Sequence, residues 1–230
     1  MTSVAALRAL LRRQWRALRR RPIGLRAVAV GPDRVFADSV DRYVAALAWK
    51  LGLRDGPARR LIGREVQAGM VAVDVGANLG WYSLALARRV GAEGRVYAIE
   101  PEPGNVELLT RALGGGRLPQ VEIRQVAAAD YSGWMTLYLG ESDRGDHRIF
   151  PAAGERRRLT VRAVSLDDLL AAAPRVDLIK LSVQGAEVSV LRGLRQTLAR
   201  QPDLRLLCSV APALLARAGA GADALFGPLR

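Results

Sequence analysis

Apolar residues recur along this chain with two periods, and the switches between them divide it into elements. Leu7, Leu10, Leu11, Trp15 and Leu18 fall at helical spacing and predict an amphipathic helix that Pro22 stops. Residues 27–37, AVAVGPDRVFA, predict two short strands about a Gly-Pro-Asp turn. Residues 41–52 and 57–68 predict helices, the second opened by Gly56 and Pro57. Strand and helix then alternate: strands at 71–75, 95–100 and 121–129, with helices near 80–90 and 103–113 between them. Such an order predicts a parallel sheet with helices on both faces, because each right-handed crossover needs a helix to return the chain. Residues 133–140 and 158–166 alternate as strands with no helix between them and predict an antiparallel insertion. The parallel pattern resumes with a strand at 176–183, a helix near 186–199 and a strand at 204–210.

The expected architecture is therefore α/β and Rossmann-like: a doubly wound, mostly parallel sheet with an antiparallel insertion and an amino-terminal helical cap. At 230 residues the chain suits one such unit, with a basic helix, hairpin and capping helices at 1–69 and a nucleoside-cofactor domain at 70–230. Half the residues are hydrophobic and a quarter charged, a globular balance. No run of about 18 uncharged apolar residues exists to span a membrane. The amino terminus lacks the apolar stretch of a secretory signal, and the single Cys208 suits a reducing compartment, so a cytoplasmic location is expected.

Net charge is +13, yet only Lys50 and Lys180 are lysines, so much of it reads as a compositional habit of alanine and arginine. The distribution carries more meaning than the sum. Arg8, Arg12, Arg13, Arg16, Arg19, Arg20, Arg21 and Arg26 all precede the first acid, Asp33. That cluster reads as the solvated face of a packing helix, with weak contact to an anionic membrane or binding of nucleic acid as the functional alternatives. Aromatics make only 5% of the chain and form no recognisable stacking platform, so nucleic acid is not the expected partner.

The candidate chemistry begins at MVAVDVGANLGWY, residues 70–82. Gly76 and Gly80 let the backbone turn tightly and approach a ligand, and Asp74 can order the turn or meet a charged ligand group. The helix that follows points free amide protons at the turn, which favours a carboxylate or phosphate. Glu100, closing the next strand, is placed to accept hydrogen bonds from a ribose diol. The turn places Gly76, Asn78 and Gly80 without a third glycine in G-x-G-x-x-G spacing, which favours a nucleoside without a pyrophosphate, such as S-adenosylmethionine.

In order along the chain, VDVGANLGWYSLALA, YAIEPEPGNVELL, VAAADYSGWMTLYL, GDHRIF, VSLDDLL and DLIKLSVQGAE resemble the FkbM family of S-adenosylmethionine-dependent methyltransferases. The resemblance implies a class I methyltransferase fold and methyl transfer to a hydroxyl of a sugar, natural-product intermediate or other small molecule. It places Asp74, Gly76, Asn78 and Gly80 in the first cofactor motif, Glu100 as the ribose-binding acid and Asp130 beside the adenine, although Asp-Tyr-Ser-Gly is also an ordinary turn. His147, the only histidine, is the natural base for removing a hydroxyl proton; alternatively it orders its loop by bonding Asp146 or the backbone.

Two departures qualify the resemblance. Relatives commonly carry acids at the positions of Ser182 and Gln184, and a serine hydroxyl is no base near neutral pH. Gln184 and Glu187 remain as catalytic candidates at that strand end, with Glu187 equally able to stabilise the start of its helix. Relatives also follow the fifth strand with a helix and a final antiparallel pair, whereas residues 213–230 offer a short helix and no strand. An uncovered edge at 204–210 predicts pairing with a second copy. An oxygen-rich metal site would have to draw on Asp143, Asp146 or Glu187, and no spacing compels it, so no metal is expected. An RNA methyltransferase, suggested by the amino-terminal arginines, and a non-catalytic cofactor-binding homologue, suggested by Ser182, are the rival functions.

Overall fold

A computed structural model describes residues 22–51, 56–114, 116–140, 147–151 and 157–227. The predicted amino-terminal helix lies outside the described residues, as do Asp143 and Asp146. The first strands, β1 (Pro22–Val30) and β2 (Asp33–Ser39), form the expected hairpin around Gly31 and Pro32, with continuous register from Arg26 to Val30 and a register shift between Pro22 and Arg26. Helices α1 (Val40–Lys50) and α2 (Gly56–Glu65) follow, each slightly shorter than its apolar pattern predicts.

The central sheet is built from β3 (Val71–Val75), β4 (Arg95–Ile99), β5 (Val121–Arg124), β9 (Leu178–Leu181) and β10 (Arg205–Cys208). Its order is β10-β9-β3-β4-β5 and every neighbouring pair is parallel. Residues 72–75 of β3 and all four residues of β9 are buried, which is why these strands read as nearly continuous apolar runs. Helices α3 (Trp81–Val90) and α4 (Pro103–Ala112) make the crossovers between the first three of these strands.

Two expected elements are broken. The run at 121–129 is not one strand: after Arg124 the chain leaves the central sheet, and β6 (Ala127–Ala129) joins a second sheet with β7 (Gly133–Tyr138) and β8 (Arg158–Ser165), in the order β6-β8-β7. The helix at 186–199 is split into α6 (Glu187–Arg192) and α7 (Arg195–Arg200), after the short α5 (Leu166–Leu169). The break falls where Gly193 presses on the end of β6; a Cβ there would sit 2.0 Å from the Ala129 carbonyl oxygen. Asp167 takes up the amides that the break frees, accepting from Gln196 N at 3.0 Å and Thr197 N at 2.7 Å. After β10 come α8 (Pro212–Arg217) and a 3₁₀ turn, Ala222–Leu225, and no strand among the described residues. Leu225 packs on the main core. No described helix is long and apolar enough to cross a membrane.

Candidate functional site

The loops after β3, β4, β5 and β9 converge at the carboxyl ends of the strands. There they line a cleft that opens to solvent. This is where an open parallel sheet places its ligands. The cleft brings together Gly76, Asn78, Glu100, His147, Ser182 and Gln184. Ile99, Pro101, Val126, Ala127 and Leu137 supply apolar wall between them.

Gly76 needs to be glycine for two reasons. Its φ is +77°, and a Cβ would lie 2.2 Å from the Ser182 carbonyl oxygen. The turn therefore rests directly on the segment after β9, and one side chain would prise the two walls of the cleft apart. Among the described residues, Asn78 (φ +50°) and Gln184 (φ +54°) are the non-glycine residues held at positive φ, and both line this cleft. Asparagine visits that region readily whereas glutamine rarely does, so backbone strain is concentrated at the site.

Glu100 is 4% exposed and is held from three sides. Its Oε2 accepts from Asn78 N at 2.9 Å, and its Oε1 accepts from Glu102 N at 3.1 Å and Asn105 Nδ2 at 3.0 Å. Burial pushes its pKa up, and the three donated bonds oppose that rise. The carboxylate is thereby pinned to the glycine turn and keeps acceptor capacity for hydroxyl donors.

Asp74 does not line the cleft. It shares the strand face of Ala72, toward α3, where its Oδ2 accepts from Ser83 Oγ at 2.7 Å. Its Oδ1 pairs at 2.9 Å with Nζ of Lys180, its register partner on β9, and Lys180 donates onward to the Gly76 carbonyl at 3.2 Å. Both members are almost fully buried, so the pair orders the turn from beneath. Gly80 likewise acts on structure: it caps α3 at φ +92°, and a Cβ there would meet Leu109 at 2.8 Å.

Asp130 is exposed and off the cleft wall, exchanging hydrogen bonds with Ser189. The departure of the chain after β5 puts Val126, Ala127 and Ala128 on the wall instead. Glu187 is buried behind the cleft, with Oε1 accepting from Val183 N at 3.4 Å at the start of α6. This is the geometry of a helix-start acid rather than of a group facing a ligand.

His147 does face the cleft. Its Nδ1 accepts the Gly140 amide proton at 3.0 Å, and the next residue, Arg148, bridges Tyr138 through two backbone bonds of 2.7 and 3.0 Å. The ring is thus held by the backbone at the end of β7. Occupation of Nδ1 by a donor puts the proton of the neutral imidazole on Nε2. Among the described residues no three His, Cys, Asp or Glu side chains gather as a metal ion would require.

Sequence reasoning missed Asn105 and Arg42. Asn105 is 1% exposed, lines the cleft and bonds Glu100; Arg42, on α1, donates from Nη2 to Asn105 Oδ1. The only sequence signal for Asn105 is its place five residues after Glu100, in the first turn of α4.

Fold and site together define a Rossmann-like α/β domain, with a glycine turn after the first core strand tied to an acid after the second. The family described as Methyltransferase FkbM domain matches residues 74–211, and the chain belongs to it. The cofactor is accordingly S-adenosyl-L-methionine. The chain is 29% identical over 143 residues to Methyltransferase 1 of Beauveria bassiana (strain ARSEF 2860), covering 53% of this chain and 57% of that protein. It therefore spans little more than half the length of that relative. Similar solved structures include precorrin-6y C5,15-methyltransferase from Geobacter metallireducens GS-15, at 14% identity and TM-score 0.41 over 70% of this chain and 66% of that one. Another is Aeropyrum pernix fibrillarin with natively bound S-adenosyl-L-methionine, at 14% identity and TM-score 0.37 over 76% and 57%.

Proposed function

We propose that this methyltransferase transfers the methyl group of S-adenosyl-L-methionine to a hydroxyl oxygen of a small molecule, such as a sugar or a natural-product intermediate. The observation that carries the cofactor half of this reading is the bond from Asn78 N to Glu100 Oε2, which fixes a buried acceptor against the glycine turn. Glu100 would receive the ribose hydroxyls, the Gly76–Asn78 turn would meet the methionine end, and Val126–Ala128, which line the cleft, would form the apolar wall for the adenine. These residues fit the cofactor, because it offers hydroxyl donors to a carboxylate and an apolar ring to aliphatic side chains.

Bound there, S-adenosyl-L-methionine supplies an electrophilic methyl carbon, so that the acceptor's O–C bond forms as the S–C bond breaks, leaving a neutral thioether and a proton. The protein's task is to align the acceptor oxygen with the methyl carbon. Because Gly140 occupies its Nδ1, His147 serves this reaction by donating from Nε2–H to the acceptor oxygen, positioning it; the hydroxyl proton leaves to water. Replacing His147 with Ala should lower turnover roughly tenfold or more with cofactor affinity unchanged. Replacement with Gln, which keeps an N–H, should retain more turnover than Ala. Equal loss in both variants would mean that the Nε2–H bond does not position the acceptor.

A non-catalytic cofactor-binding role is the second reading, favoured by Ser182 in the cleft and Glu187 buried behind it. Tritiated-methyl transfer to a panel of hydroxylated metabolites, read with release of S-adenosylhomocysteine, separates the two. Labelled product supports transfer to oxygen. Cofactor binding with no product from any acceptor supports the second reading.

A further inference from the structure

The amino-terminal unit of β1, β2 and α1 precedes the residues that match the family, yet it reaches the cofactor acid through a buried chain of side chains. Strand β2 packs on α4. From α1, Arg42 is 4% exposed; its Nη1 pairs with Asp38 of β2 at 3.0 Å, and its Nη2 donates to Asn105 Oδ1. Asn105 in turn donates from Nδ2 to Glu100 Oε1 at 3.0 Å.

The chemistry of the three groups sets a single direction. A guanidinium has only donors and an ionised carboxylate only acceptors, while a carboxamide has one end of each kind. With Arg42 on one side and Glu100 on the other, the amide must turn Oδ1 to arginine and Nδ2 to the carboxylate. The flipped amide would set NH₂ against the guanidinium and oxygen against oxygen, leaving buried groups unsatisfied on both sides. We infer that Arg42 is a positioning residue for cofactor binding: it locks Asn105 in the orientation that holds Glu100, and so makes the amino-terminal hairpin-helix unit part of the cofactor site. The inference rests on the reading of Glu100 as the acceptor of the ribose hydroxyls.

A role confined to folding differs from this one in its pH dependence. The groups facing Glu100 are the amides of Asn78 and Glu102, the Glu102 carboxylate, Asn105 and, one bond further, Arg42 with its partner Asp38; His147 lines the same cleft. Loss of Arg42 removes a positive charge and releases the amide, and both changes favour the protonated carboxyl. The fall of cofactor affinity on acidification then begins at a higher pH.

The test is calorimetric titration of the full chain with S-adenosyl-L-methionine from pH 5 to 8, using Arg42→Met, Arg42→Gln, Asn105→Ala, the double variant Arg42→Met/Asn105→Ala, and Glu100→Ala as control. Arg42→Met should bind roughly tenfold more weakly near neutral pH and lose affinity at higher pH than the parent. The double variant should bind no more weakly than Asn105→Ala alone. Losses from Arg42→Met and Asn105→Ala that add, or a loss equal at every pH, would overturn the inference. Should Arg42→Met not fold, Arg42→Gln, which removes the charge and shortens the donor, decides: an upward shift of the acid fall supports the relay, and an unshifted fall refutes it. Unchanged affinity in Glu100→Ala would instead sink the reading of the acid itself. A weakened Glu100→Ala beside a normal Arg42→Met would sink the relay alone.

Discussion

Glu100 carries two opposed requirements. It must be buried to present a desolvated acceptor to the cofactor, and burial favours the protonated form, which is the weaker acceptor. The sign follows from its raised pKa. A carboxyl that binds its proton more readily folded than unfolded costs stability while it is ionised, and that cost fades as pH falls through the folded value toward the ordinary one near 4.5. Cofactor affinity runs the other way. Titrations with S-adenosyl-L-methionine at decreasing pH should show affinity falling before the ordinary carboxylate range is reached, while this group ceases to cost the apoprotein stability. A fall confined to pH below about 4 would contradict the buried carboxylate. Gly76 offers a test of the opposite wall. With its Cβ directed at the Ser182 carbonyl and φ at +77°, Gly76→Ala should cost roughly 2–4 kcal/mol and lower the melting temperature accordingly. An unchanged melting temperature would mean that the turn and the β9 loop are not in contact.

At the scale of elements, the two breaks in regular structure shape the cleft. The chain leaves the central sheet after Arg124, which brings Val126–Ala128 onto the wall and carries Asp130 away from it. Neither break could be read locally. The run VEIRQVAAA has no glycine or proline to end a strand, and its two halves differ only in which sheet they join. Gly193 sits in a helical pattern that tolerates a glycine, and what forbids continuation is the Ala129 carbonyl, 64 residues earlier in the chain. Asp167 holds the restart of the helix, so Asp167→Ala should lower stability by about 1–2 kcal/mol in denaturant unfolding with the cofactor site left in place. An unchanged midpoint would show that α7 needs no cap.

At the scale of the whole molecule, hydrophobic period and glycine punctuation made the parallel sheet legible, with β3, the start of α3 and β4 falling within a residue of their expected bounds. The parts of the site set by backbone were legible for the same reason: Gly76, Asn78 and Glu100 lie where strand ends must lie. Side-chain direction was not legible. Asp74 and Glu187 are acids at strand and helix ends, yet both are buried and neither lines the cleft. Arg42 was out of reach altogether, since its link to Asn105 spans 63 positions and crosses from the cap into the core. The claim on which the rest depends is that Glu100, fixed to the glycine turn, holds the cofactor. Calorimetric titration of S-adenosyl-L-methionine into the parent protein and Glu100→Ala tests it most directly. Saturable binding weakened by roughly 1.5–3 kcal/mol in the variant is the predicted result, and equal affinity in the two proteins would contradict it.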